Sequence, residues 1–205
     1  FAGIHYYQTN RYARARDCFS ASAKYRENLS KTDRRYAKMM FNLVATLHRT
    51  GDFTAAYRQG IRSVEVRREV VGSDSASLAP NYLNLASICL ELNDNDRAKT
   101  YAEVGLEIAR IFPDSVPLKT RGDLYQVIGL SLYRSQEYNK SLVYCREALR
   151  IYNQDPASSV ESRILLYNTI GQVYRRLNQP QEAEDLFRRG LAVMDGSGTQ
   201  DKYLL

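Results

Sequence analysis

Few side chains in this chain are equipped for covalent chemistry. There are two histidines, His5 and His48, and three cysteines, Cys18, Cys89 and Cys145. A His–Cys pair would be a base and its nucleophile if the fold held one beside the other. Hydrophobic periodicity instead sets Cys89 and Cys145 in apolar columns and Cys18 next to one, which reads all three as small buried hydrophobes. Their odd number and wide scatter fit neither a disulfide framework nor a zinc site, and point to a reducing compartment, the cytoplasm. No Gly-rich phosphate loop, HExxH or CxxC is present. The acidic run Glu182-Ala183-Glu184-Asp185 falls in the first turn of an expected helix, where negative charge complements the dipole. Asp94-Asn95-Asp96 lacks the Gly and Glu of a calcium loop. The expectation is no enzyme, no metal and no cofactor.

What remains is recognition chemistry, carried by Asn, Arg and aromatic side chains. The chain has 205 residues and a net charge of +6, with no Trp and sixteen Tyr. Residues 1–70 hold 14 Lys and Arg against 6 Asp and Glu, whereas residues 71–205 hold 15 against 17. Such asymmetry marks either an acidic-partner surface or a solvated face of Arg-rich helices. No apolar run approaches the roughly 20 residues that span a bilayer. The start at Phe1 offers no initiator Met and no signal pattern, so the chain reads as an excerpt of something longer.

The elements that position these side chains repeat. With Ala15, Ala56, Ala98, Ser141 and Ala183 as anchors, the spacings are 41, 42, 43 and 42 residues. Twelve residues before each anchor stand Gly3, Val44, Ala86, Gly129 and Gly171, small in four of five. One residue earlier come Ala2, Leu43, Leu85, Ile128 and Ile170, all apolar. Nine before stand Tyr6, Leu47, Cys89, Leu132 and Tyr174. Seven after are small residues, Ser22, Ser63, Gly105, Ala148 and Gly190. Eight after come Ala23, Val64, Leu106, Leu149 and Leu191. Each unit holds two stretches of helical period, and the small residues let paired helices approach. The spacing predicts ten helices over 1–8, 11–27, 33–49, 53–70, 78–92, 95–111, 117–134, 138–152, 159–177 and 180–194. Short turns such as Thr50-Gly51-Asp52 and Asn93-Asp94-Asn95 join the two helices of a unit. Longer breaks at Gly72-Ser73-Asp74, Pro113-Asp114-Ser115 and Asp155-Pro156-Ala157 separate units. The units run about 1–30, 31–72, 73–115, 116–157 and 158–200 within one domain, and the tail 201–205 resembles the opening of a sixth.

The segments Leu85-Ala86 … Ala98, Ile128-Gly129 … Ser141 and Ile170-Gly171-Gln172-Val173-Tyr174 … Ala183 … Phe187 resemble tetratricopeptide repeats. The length near 42 residues is similar to the longer repeats of kinesin light chains, Leu-Gly-Asn-repeat spindle adaptors and bacterial peptide-sensing regulators. The resemblance implies an all-α, right-handed α-α superhelix of about five hairpins. In such a solenoid the first helix of each hairpin lines the concave side. That places Phe41, Asn42, His48 and Arg49 in the groove from unit two, and Leu83, Asn84 and Ser87 from unit three. Gln126, Leu130, Tyr133 and Arg134 follow from unit four, and Asn168, Gln172 and Arg175 from unit five.

Asn42 and Asn84 share one column, and in the resembling families Asn there hydrogen-bonds the backbone of an extended peptide. An amide suits the task because it both donates and accepts. The column lapses to Val127 and Thr169, so any ladder is partial, and hydrogen bonding of these amides to adjacent helices is the competing reading. Arg49, Arg134, Arg175 and Arg176 form a basic rim, broken by Glu91 and matched to carboxylates, although the dipole alone also favours cations at helix ends. The function expected is a protein-interaction module that holds an extended, acidic peptide or a helix of a partner protein. A second reading is a sensor segment controlling an attached DNA-binding or protease domain. A third is nucleic-acid binding through the basic first 70 residues, weakened because helical period assigns most of the aromatics there to the core.

Overall fold

In the computed structural model, which describes residues 2–29, 33–72, 75–154 and 160–197, the chain forms five helical hairpins stacked in sequence order. The helices are α1 (Ala2–Gln8), α2 (Tyr12–Leu29), α3 (Arg34–Arg49), α4 (Phe53–Val71) and α5 (Ala79–Glu91). They continue with α6 (Asn95–Ile111), α7 (Leu118–Arg134), α8 (Tyr138–Tyr152), α9 (Val160–Arg176) and α10 (Pro180–Ser197). No strand occurs among the described residues. The periodicity anticipates all ten within a few residues. It misses a short 3₁₀ turn, Ala76–Leu78, which enters α5 through a Ser75 cap. Phe1, the breaks at 73–74 and 155–157, and the tail 201–205 lie outside the described residues.

The turn inside every hairpin is built the same way. Asn10, Gly51, Asn93, Gln136 and Asn178, each five residues before its anchor, all take a left-handed conformation with φ between 57° and 78°. The next N–H reaches back five residues, as from Asp52 to Leu47 at 3.1 Å and from Glu137 to Leu132 at 2.8 Å. This is the Schellman closure, which satisfies carbonyls left open at a helix end. Gly and Asn adopt that backbone readily; Gln136 carries a Cβ cost. Asp52 and Asp94 then cap the following helix by accepting from the N–H groups of Ala55 and Arg97. The equivalent position at α2 is Arg11, which has no acceptor to offer.

Inside each hairpin, small and large residues are paired across the seam. A Cβ on Gly3 would lie 2.8 Å from the Phe19 ring, and one on Gly171 would lie 2.5 Å from the Phe187 ring. In unit two the order inverts, with Val44 on the first helix and Gly60 on the second, 3.8 Å from a Cβ built there. In unit three both positions are alanine, Ala86 and Ala102, and both are fully buried. Ser141, the one anchor that is not alanine, is buried and donates its hydroxyl to the Gly129 carbonyl at 2.7 Å. Leu85, Ile128, Ile170 and Ala183 are all buried as expected, with Gly129 and Gly171.

Two apolar columns change character at the ends of the stack. Ala2 is exposed, whereas Leu85 in the same column packs on Gly60 of the preceding unit; no earlier unit stands beside Ala2 among the described residues. Leu191, on the last described helix, is 38% exposed. The core itself is a string of four clusters, each shared by neighbouring hairpins, as expected of a quasi-one-dimensional stack.

Candidate functional site

The thiols are placed for packing. Cys89 and Cys145 are buried, and burial pushes both up to about 11, so the nucleophilic thiolate is disfavoured at neutral pH. Cys18 is half-buried in α2. Among the described residues no group of three His, Cys, Asp or Glu is arranged to hold a metal ion, and no helix is long and apolar enough to cross a membrane.

Side chains of first helices alone line a cavity of about 460 Å³. From α3 it takes His48 and Arg49; from α5, Leu83, Asn84, Ser87, Leu90 and Glu91; from α7, Asp123, Gln126, Val127 and Leu130; and from α9, Glu161, Ser162 and Leu165. Seven of the expected groove residues thus converge, His48, Arg49, Leu83, Asn84, Ser87, Gln126 and Leu130, because residues three and four apart share a helix face. Asp123, Leu165, Glu161 and Ser162 were not anticipated. Asp123 and Leu165 share one column a single turn before Gln126 and Asn168, so extending the groove face one turn back would have reached them. Glu161 and Ser162 lie in the first turn of α9, beside the break whose structure the sequence pattern leaves open.

A second cavity, of about 300 Å³, lies further along the groove between α1 and α3. It is largely apolar, with Phe41, Asn42 and Ala45 facing Ile4, Tyr7, Gln8 and Phe19. The two asparagines of the expected ladder therefore line different cavities. The buried Nδ2 of Asn84 has no hydrogen-bond partner, which leaves its oxygen as the amide atom open to the groove.

Several expected groove residues are engaged elsewhere. Tyr133 packs its ring on Tyr138, centroids 6.0 Å apart, and joins the fourth core cluster. Arg134 donates through Nη1 to the Leu90 carbonyl at 2.5 Å, tying α7 to the end of α5. Gln172 is half-buried and accepts from exposed Arg175 at 3.4 Å. Asn168 is half-buried on α9.

The electrostatics divide along the groove. In the central cavity Glu91 and Glu161 are exposed and make no ion pair among the described residues. Asp123 accepts from Lys119 at 3.0 Å and from the Tyr152 hydroxyl at 2.5 Å. Burial lowers the His48 imidazole from its usual range, with Glu91 opposing and Arg49 reinforcing that shift, so the ring is neutral at pH 7. At the turn edge the sign reverses: Arg11, Arg14, Arg16 and Arg49 surround an open cleft of about 580 Å³. Of these only Arg16 has a carboxylate, Asp17 at 2.9 Å, among the described residues.

Two family models described as tetratricopeptide repeat match the chain, one over residues 35–111 and 122–195 and the other over residues 2–62. A search of curated proteins by sequence finds no match. Solved structures share the fold at low identity. BtubC (BKLC) from P. vanneervenii superposes with a TM-score of 0.76 at 18% identity, over 99% of this chain and 81% of that one. A putative kinesin light chain with nearly identical TPR-like repeats from Podosopora anserina gives 0.72 at 13% identity, over 97% and 94%. A Rap protein complexed with competence and sporulation factor gives 0.77 at 13% identity, over 97% of this chain and 53% of that one.

Proposed function

Since the chain belongs to the tetratricopeptide repeat family, a family of protein-interaction scaffolds, we propose that its concave groove holds an extended segment of a partner protein. One observation carries the reading: four successive first helices contribute side chains, and no second helix does, to one cavity of about 460 Å³. Partly exposed apolar walls there, Leu83, Leu130 and Leu165, supply binding energy. The Asn84 amide oxygen is available to a backbone N–H. Phe41 and Asn42 extend the track into the apolar cavity beside α1. The acidic part of the partner meets the guanidinium edge of Arg11, Arg14 and Arg49, where no carboxylate competes for these three among the described residues.

The test is selection of a displayed random 12-residue peptide library on the intact chain. Selected peptides are expected to lose affinity for Asn84→Ala and Leu130→Ala, with the Asn84→Ala melting temperature near wild type and that of Leu130→Ala somewhat lower, because Leu130 also packs on the second core cluster. Peptides that bind both variants as they bind wild type place the binding surface outside the groove.

A second reading, a sensor segment of a longer regulatory chain, draws on the likeness to the Rap protein solved with competence and sporulation factor, only about half of which this chain spans. Peptide-dependent change in an attached effector's activity, measured in the full-length protein, separates it from a simple adaptor.

A further inference from the structure

The sequence pattern points to a basic rim, broken by Glu91, and so to an acidic ligand, but the side chains that meet in the centre are mostly of the opposite sign. We propose that the central cavity receives a cationic side chain, Lys or Arg, of the partner segment; the proposal rests on the groove reading above.

Three helices each bring one carboxylate to the same cavity: Glu91 from the end of α5, Asp123 from α7 and Glu161 from the start of α9. Only Asp123 has a cation of its own, Lys119, on the exposed side of the same helix. Of the cations expected to oppose them, Arg134, Arg175 and Arg176 do not line the cavity, Arg134 being tied to the Leu90 carbonyl, and burial disfavours the charged form of His48. Arg49 alone remains, and it also borders the arginine cleft at the turn edge. The cavity centre thus carries more negative than positive charge in a chain whose net charge is +6.

The walls fit the rest of such a side chain. Leu83, Leu130 and Leu165, each partly exposed, offer aliphatic surface along which a three- or four-carbon stem can lie while the charged head stays at the carboxylates. A guanidinium has five N–H donors and no acceptor. Around it stand the carboxylates and the open oxygen of Asn84, whose nitrogen is turned into the protein. An acidic side chain at this position would face Glu91 and Glu161, and like charges brought together in a cavity suppress the wrong partner.

The experiment uses the intact chain and the displayed 12-residue library. Selections are run on wild type and on Glu91→Gln/Glu161→Gln, an isosteric change at two exposed positions. Peptides selected on wild type are expected to share one position enriched in Lys or Arg, and those selected on the variant to lack it. A synthetic consensus peptide is then titrated by fluorescence anisotropy, with its Arg replaced by citrulline, or its Lys by norleucine, as the control. Either change, in protein or in peptide, is expected to weaken binding about tenfold, and the two together no further than one alone. Groove-dependent peptides with no cationic position, or with an acidic one there, overturn this proposal and leave the groove reading standing. If no selected peptide depends on Asn84 or Leu130, the groove reading itself falls.

Discussion

At Gly129 the two helices of the fourth hairpin approach so closely that an added Cβ would sit 2.4 Å from Cys145 Sγ and 3.2 Å from that residue's backbone nitrogen. The next residue, Leu130, faces the other way, into about 460 Å³ of open groove. One helix thus presents a face where an added methyl meets a buried neighbour and a face that lines an open cavity. The first is governed by the fully buried Cys145 sulfur, with that residue's backbone close behind it. The second is governed by charge and apolar surface that folding leaves uncommitted. The contrast separates residues that hold the solenoid together from residues free to recognise something.

The most damaging change is expected at the seam. Gly129→Leu should destabilise the chain by about 3 kcal/mol through overpacking, seen as a fall in both melting temperature and urea midpoint; an unchanged midpoint would mean the seam is looser than drawn. Gly171→Ala should cost less than Gly129→Ala, because the atoms in its way belong to the half-buried Phe187 ring, whereas at Gly129 they are the fully buried Cys145 sulfur and, at 3.2 Å behind it, that residue's backbone nitrogen. Pairing Gly171→Val with Phe187→Gly, the arrangement unit two uses at Val44 and Gly60, should recover stability lost by Gly171→Val alone. Recovery is read from the double-mutant cycle.

Away from the seam the effects shrink. Arg11→Asp would give α2 the cap that Asp52 and Asp94 give their helices, and should raise stability by about 1 kcal/mol in denaturant titration. On the groove face, Glu91→Gln and Glu161→Gln should each move stability by no more than about 0.5 kcal/mol; any larger loss would tie these carboxylates to the fold instead of to a ligand. His48 gives the smallest effect, and its sign follows from burial. Its folded value lies below the usual 6.5, so the unfolded chain takes up the proton first. This contribution to stability is present above pH 6.5 and is lost as pH falls through the folded value. Its signature is a shallower loss of stability on acidification in His48→Gln than in wild type.

Much of the fold was legible because each unit must bury the same faces against its neighbours. Identical packing demands recur every 41 to 43 residues and leave columns such as Leu85, Ile128 and Ile170. The left-handed turn column could be read at Gly51, Asn93 and Asn178, whose types tolerate that backbone, but not at Gln136, whose type does not announce it. The groove was legible as a face and illegible as a charge. Arg134 looks like a free cation on its helix, and only the stacking of α7 on α5 brings the Leu90 carbonyl within its reach. Glu91, Asp123 and Glu161 lie 32 and 38 residues apart, so no local pattern links them.

By itself the sequence determined the hairpins, their register and their seams, because helical period and residue volume act within a unit and between adjacent units. Only the tertiary structure decided which charges the groove keeps. Electrostatic character depends on distances between side chains from different units, and on which of them already have partners. Those quantities come into being when the helices stack.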